Sequence, residues 1–287
     1  MDDRSQHAAM SLGPLASGET ARFFAAARLE GIDCLSATFR THVYPPHIHE
    51  TYVVGTIETG RDAVSARGLK GHAGPGDLVF VMPQDVHDGA PADGGYSYRM
   101  SYPGEGFMRM VAEAVSGRPA SAAPFFRSPV VHDPDGARLF SAAHEALESG
   151  ADGLAGEELL LRAYARAFVL HAGGTLAAVG DEAGPVRRVR DLIEARYAED
   201  LSLTELAAVA GFSRDHLIRV FRRRVGITPH AYLVDVRVRR AQDRLRAGRA
   251  PAQVAAEVGF ADQAHLTRAF KARIGVPPAA YRRAVAA

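Results

Sequence analysis

Between Leu35 and Tyr102 the chain alternates apolar and polar residues in short runs, Ala37 to Tyr44, Tyr52 to Glu58, Asp77 to Met82 and Tyr96 to Tyr102. Clusters of Gly, Pro and Asp separate them. Alternation at period two, bounded by turn formers, predicts strands, and their close spacing predicts an all-β sandwich or barrel. Beyond this region the period lengthens. Pro134 to His144 and onward, then Glu157 to His171, read as two helices separated by residues 150–156. On the second, Leu160, Ala163, Ala167 and Leu170 form a stripe at i, i+3, i+4 spacing. Such a stripe packs either on its own barrel or on a second copy of the chain.

After a Gly-rich stretch, Gly173-Gly174 to Gly184-Pro185, the sequence repeats itself. Leu206-Ala-Ala-Val-Ala-Gly-Phe212 lies on Val254-Ala-Ala-Glu-Val-Gly-Phe260, and His216-Leu217, Arg219, Phe221, Arg224, Gly226, Pro229 and Tyr232 recur as His265-Leu266, Arg268, Phe270, Arg273, Gly275, Pro278 and Tyr281. Two copies of one supersecondary unit are implied. Ser202-Leu-Thr-Glu205 is a capping box that opens a short helix, Gly211 suits its left-handed end, and Ser213 can cap a second helix. That pair predicts a helix-turn-helix. On the second helix Leu217, Val220, Phe221 and Arg224 share a packing face, leaving Arg214, Asp215, Ile218, Arg219 and Arg222 outward. In the second copy Leu266, Ala269 and Phe270 pack, while Gln263, Ala264, Thr267, Arg268 and Lys271 point out. A bridging helix from about His230 to Ala247, started by Pro229 and stopped by Gly248, joins the copies. Its length of roughly 27 Å would set two recognition helices about one DNA turn apart.

Charge sharpens this division. The chain of 287 residues has a formal charge of +1, yet residues 1 to 184 carry 14 Lys+Arg against 23 Asp+Glu, or −9, and residues 185 to 287 carry 20 against 10, or +10. A basic half joined to an acidic half fits a nucleic-acid-binding domain beside a control domain, because phosphate neutralisation supplies much of the binding energy. Cys34 is the only cysteine, which excludes an internal disulfide framework. The polar start and the lack of a long uncharged stretch leave no signal peptide or membrane span in view, so a cytoplasmic location is expected.

The basic half resembles the DNA-binding domain of the AraC/XylS family of transcription regulators over residues 187 to 283. Its most specific part is Val254 to Tyr281, with Gly259-Phe260, His265-Leu266, Arg268, Phe270-Lys271, Gly275 and Pro277-Pro278 in place. The resemblance implies base contacts from Arg214, Asp215, Ile218 and Arg219 in the first unit and from Gln263, Ala264, Thr267 and Arg268 in the second. It also implies promoter DNA and RNA polymerase as partners, a homodimer, and a role as activator. His216 and His265 precede core leucines and suit packing or a phosphate contact.

In the acidic half, His47-Ile-His49 before one strand and Gly76 to Pro83 leading to His87 resemble the two motifs of the cupin barrel. The resemblance implies a small effector in the barrel interior, with His47, His49, His87, Tyr98 and Arg99 as hydrogen-bonding groups; Glu58, on the alternating face of Val54 and Thr56, would meet a cationic group. Two histidines at i, i+2 with a third from another strand also suit a metal. Metal-binding cupins add a Glu where Val53 and Val54 stand here, so the effector reading is preferred and no cofactor is expected; Glu50, Glu58 or water would have to complete a metal site. Rim or satisfied core histidines are the remaining reading. The expected organisation is α+β: a cupin-like barrel over residues 1–133, a helical, dimerising segment over 134–172, a linker over 173–186, and an all-α domain with two helix-turn-helix units over 187–287. A regulator, not an enzyme, is expected; the competing readings are a metal-dependent cupin enzyme fused to a DNA-binding domain and an architectural DNA-binding protein without a ligand.

Overall fold

The computed structural model describes residues 15–176, 183–274 and 276–285. Gly275 of the repeat and part of the expected linker, residues 177–182, lie outside them. The chain divides into two compact units, Met1–Glu148 with Leu159–Ala177 and Ser149–Glu158 with Ala178–Ala287. Among the described residues, no helix is long and apolar enough to cross a membrane.

The first unit is built on an eight-stranded sheet of antiparallel neighbours. Its strands are β1 (Thr20–Ala26), β2 (Ile32–Phe39), β3 (Tyr44–His47), β4 (Val53–Ala66), β5 (Leu69–Ala73), β6 (Asp77–Val81), β7 (His87–Tyr102) and β8 (Val130–His132). The order is β1-β2-β7-β4-β6-β8, with β3 also on β7 and β5 also on β4. Strands β4 and β7 run 14 and 16 residues, well beyond the alternation that predicts them, because the glycines that read as their ends are bends within them. Gly60 has φ 70° and Gly95 has φ 122°, and a Cβ on Gly60 would sit 2.0 Å from the Gly95 carbonyl oxygen. The register slips there, so the glycines make a bulge that lets two long strands curl together.

The pleat sends odd-numbered residues of β2 and even-numbered residues of late β7 to one side. Leu35, Ala37, Phe39, Tyr96, Tyr98, Met100 and Tyr102 meet Val53, Ile57, Val79 and Val81 in one core. The opposite face is covered by helices. These are α1 (Glu105–Ser116), which the alternation pattern does not announce, α2 (Pro134–Ser149) and α3 (Gly153–His171). The buried Tyr164 hydroxyl donates to Ser101 Oγ at 2.8 Å, and His144 Nε2 meets the Met100 carbonyl at 3.1 Å. The apolar stripe on α3 is used within the chain, since Leu160, Ala163 and Ala167 are buried and Leu170 alone is exposed.

The second unit is helical: α4 (Ala183–Arg196), α5 (Leu203–Ala210), α6 (Arg214–Val225), α7 (Pro229–Arg246), α8 (Pro251–Glu257), α9 (Gln263–Ile274) and α10 (Pro278–Val285). The capping box forms, with Ser202 Oγ accepting from Glu205 N–H at 3.2 Å and Glu205 accepting from Ser202 N–H at 2.9 Å. Gly211 ends α5 at φ 73°, and Thr228 caps α7 ahead of Pro229. The repeat extends to packing. Phe212 meets His216 edge-on at 4.7 Å and Phe260 meets His265 at 5.0 Å; Phe221 meets Tyr232 at 5.7 Å and Phe270 meets Tyr281 at 5.3 Å. Both histidines therefore pack on their own unit's aromatic residue. Buried Arg237 of α7 donates to the Tyr197 and Glu199 carbonyls at 2.7 and 2.9 Å, satisfying the end of α4.

Candidate functional site

Strands β3, β4 and β7 bring side chains of both motifs into the interior of the sheet. His47 stands directly opposite His87 in the β3–β7 pairing, with ring centroids 4.2 Å apart, and His49 follows two residues on. The ligand-capable atoms of His47, His49 and His87 all lie within 4.8 Å of one another. They share a cavity of about 60 Å³ with Tyr44, Asp62, Tyr96, Tyr98 and Tyr102. That space holds a handful of non-hydrogen atoms, given the 10–15 Å³ or so that one water requires.

The chemistry of the lining is set by burial. His49 is pulled down to about 3 by desolvation and by the neighbouring His87 and His47, and burial pulls His87 to about 4, so these imidazoles are neutral near pH 7. Burial pushes Tyr44 up to about 12 and Tyr98 and Tyr102 well above the usual phenol range, which keeps their hydroxyls as donors. The Tyr44 and Tyr98 hydroxyls share a hydrogen bond at 3.0 Å. Asp62 accepts from the Ala90 N–H at 3.1 Å, yet burial pushes its carboxyl up to about 7. The interior thus sets the neutral His49 and His87 among phenols, with the Tyr44 ring 5.8 Å from His47 and the Tyr102 ring 5.4 Å from His49, and adds the buried Asp62 carboxyl.

Of the expected effector groups, His47, His49, His87 and Tyr98 converge and two do not. Arg99 and Glu58 pair with each other at 2.7 Å on the opposite face, where Arg99 also reaches Glu148 at 2.5 Å and Glu145 at 3.5 Å. Neighbouring strand residues point to opposite faces, so Tyr98 inside requires Arg99 outside. Asp62, Tyr44, Tyr96 and Tyr102 were not foreseen. Simple alternation hides Asp62, since the bulge at Gly60 switches the inward side of β4 from odd-numbered Val53 and Ile57 to even-numbered Asp62 and Val64.

On the helical unit, α9 presents Gln263, Ala264 and Arg268 exposed and Thr267 half-buried, with Leu266, Ala269 and Phe270 packed. This face matches the outward face expected from spacing. Helix α6 departs from it. Asp215 and Ile218, expected outward, are 4% and 3% exposed, while Arg224, expected to pack, is exposed. Asp215 is held by Arg219 one turn later at 2.8 Å, an i, i+4 pair that turns both groups along the helix. Arg214 and Arg219 are half-buried and Arg222 exposed.

The chain matches the family model described as an AraC-like ligand binding domain over residues 30–164, and the one described as a helix-turn-helix domain over residues 186–284. It is 29% identical over 223 residues to an uncharacterized HTH-type transcriptional regulator, YbfI of Bacillus subtilis (strain 168), covering 77% of this chain and 80% of that one. It is 25% identical over 233 residues to the Msm operon regulatory protein of Streptococcus mutans, covering 78% and 81%. Among solved structures it is similar to the DNA-binding domain of AdpA, a global transcriptional factor, in complex with a target DNA. That likeness has 33% identity, 35% of this chain, 91% of the other and a TM-score of 0.34.

Proposed function

The chain belongs to the AraC/XylS family of transcription regulators, and from that premise we infer that a small effector in the cavity of the sheet controls how the two helix-turn-helix units engage promoter DNA. The observation that carries the reading is the repeated packing of the second unit, which leaves Gln263, Ala264 and Arg268 on one polar face of α9. Arg is suited to guanine O6 and N7, and Gln to adenine N6 and N7. Base contacts are proposed from Arg268, Gln263, Ala264 and Thr267, with Arg214 and Arg219 on α6. Buried Asp215 orients Arg219 and Ile218 supports the helix. The finer expectations complete this reading: action as an activator through RNA polymerase, in the cytoplasm, as a homodimer whose contact is not the buried stripe of α3. Its proposed domains are a barrel over residues 1–133, helices over 134–172, a linker expected over 173–186 whose last residues instead form the first turn of α4 from Ala183, and the reader over 187–287. The family supports a regulator rather than an enzyme.

Arg268→Ala is expected to cost roughly 1 to 3 kcal/mol of operator affinity and to relax specificity at one position. Arg219→Ala should act about one helical turn away and more weakly, because its guanidinium is shared with Asp215. Footprinting with base-substituted operators checks this. Equal weakening on every sequence would make both residues phosphate contacts. For the effector, His47→Ala with His49→Ala is expected to abolish the change in DNA affinity on adding inducer and to leave the basal affinity intact, since an effector shifts an equilibrium only by its differential affinity for two states. A normal response in that variant places the effector elsewhere.

A further inference from the structure

The two copies of the repeat differ in how a carboxylate meets the reading helix. On α6 the carboxylate is Asp215, held by Arg219 at 2.8 Å. The matching position on α9 is Ala264, and α9 carries no acidic residue of its own. One arrives from elsewhere in the sequence. The helical unit includes the segment Ser149–Glu158, which stands apart from the rest of that unit along the chain. Within it, Asp152 Oδ2 lies 2.6 Å from His230 Nε2 on α7 and 3.7 Å from His265 Nε2 on α9.

Asp152 is charged and held in place. Desolvation alone would push its carboxyl up, but the hydrogen bond donated by His230 brings it below its ordinary value. Its other oxygen, Oδ1, accepts from the Ala155 N–H at 3.0 Å and so caps the first turn of α3. Glu158, further along the segment, is 3% exposed and accepts from the His230 N–H at 3.2 Å, which supplies a partner that the first turn of α7 lacks within itself. Two carboxylates of one segment therefore grip the start of the bridging helix, and one of them also faces α9. The His265 ring has little room to move away. It meets Phe260 edge-on at 5.0 Å, Arg237 of α7 lies over Phe260 at 5.8 Å, and burial pulls the His265 imidazole below its ordinary value.

From this geometry we infer that Asp152 is a positioning residue of the DNA reader: it braces α9 against α7 through His265 and His230, and so sets where Gln263 and Arg268 fall on the base pairs. Arg268 lies three residues beyond His265 on the same helix, so a small rotation of α9 about the brace carries it off its base. The inference rests on the reading of α9 as the helix that meets base edges.

The test is affinity and footprinting of the full-length chain on a duplex that the wild type enriches from random DNA, with the α9 half-site identified by its sensitivity to Arg268→Ala. Asp152→Asn keeps the cap on α3, since asparagine caps as well as aspartate, and removes only the charge. It is expected to weaken binding of the enriched duplex about tenfold, the scale of a hydrogen bond to a charged group. The loss should be confined to the α9 half-site, with circular dichroism unchanged. Electrostatics alone gives the reverse, because removing a negative charge from a basic unit tightens binding on every sequence. His265→Gln is expected to cause the same local loss, and the double variant no more than the larger single loss, because residues acting through one contact are not additive. His230→Gln releases the brace from its other side and carries the test if Asp152→Asn does not fold. Unchanged binding, tighter binding on all sequences, equal loss at both half-sites, or losses that add in the double variant each overturn the inference. A wild-type chain that enriches no sequence sinks the reading of α9 itself, and the brace with it.

Discussion

Phe270→Ala is expected to lower the stability of the helical unit by about 3 to 5 kcal/mol, the usual cost of removing a fully buried aromatic side chain. Phe270 is 0% exposed, packs with Val238, Ala241, Leu266 and Ala269, and meets Tyr281 edge-on at 5.3 Å. Against a typical domain stability of about 5 to 15 kcal/mol, such a loss is severe. Its counterpart Phe221 is equally buried and meets Tyr232 at 5.7 Å. Each substitution should strike its own copy first, so the footprint of Phe270→Ala should vanish over the half-site read by α9 while the α6 half-site persists, and Phe221→Ala should do the reverse. Urea unfolding and footprinting on the full chain measure both effects. Simultaneous loss of both half-sites in either variant would show that α7, shared by the copies, ties them into one cooperative unit.

The repeat could be read from sequence because independent signals agreed: helical periodicity, a capping box, glycine stops, and an internal match carrying Phe221 and Tyr232 onto Phe270 and Tyr281. The fine orientation of α6 could not. Its buried arc takes in Asp215, Leu217, Ile218, Val220 and Phe221, wider than one i, i+3, i+4 stripe, so the stripe alone misplaced Asp215, Ile218 and Arg224. A carboxylate four residues before an arginine was the hint that the two would pair.

In the barrel, the convergence of His47, His49 and His87 followed from the motifs, whereas Arg99 was misassigned through neglect of parity and Glu58 because the face of Val54 and Thr56 was taken for the interior, which Val53 and Ile57 line instead. Residues 98 and 99 cannot both point inward from one strand. Helix α1 escaped notice because its buried positions, Phe107, Met108, Val111, Ala112 and Val115, follow directly on a strand with only Pro103-Gly104 between. Asp62 escaped because Gly60 was read as an end and proved to be a bend.

Asp62→Asn is expected to stabilise the protein at alkaline pH and to do almost nothing in acid. Asp62 is 6% exposed, and burial pushes its carboxyl from an ordinary value near 3.8 up to about 7. Between those values the unfolded chain has released its proton while the folded chain keeps it. The folded state then binds more protons, so stability falls as pH rises from about 4 to about 7 and levels off above that. At about 1.36 kcal/mol per pH unit the ceiling is about 4 kcal/mol. Asparagine stays neutral throughout, and its oxygen can still accept from the Ala90 N–H, now 3.1 Å from Asp62 Oδ1. The variant should therefore exceed the wild type by about 2 to 4 kcal/mol at pH 8 and match it at pH 4. Denaturant unfolding of the first unit across that range reads the difference. A gap that does not change with pH, or a variant less stable at pH 8, would mean that Asp62 is ionised in the folded protein and held by its neighbours. With a neutral acid in the cavity, an effector oxygen would meet a donor there near pH 7 and only a repelling carboxylate at higher pH. Inducer affinity should accordingly weaken as pH rises through about 7, where the folded carboxyl releases its proton and the stability gap levels off, and Asp62→Asn should remove that dependence.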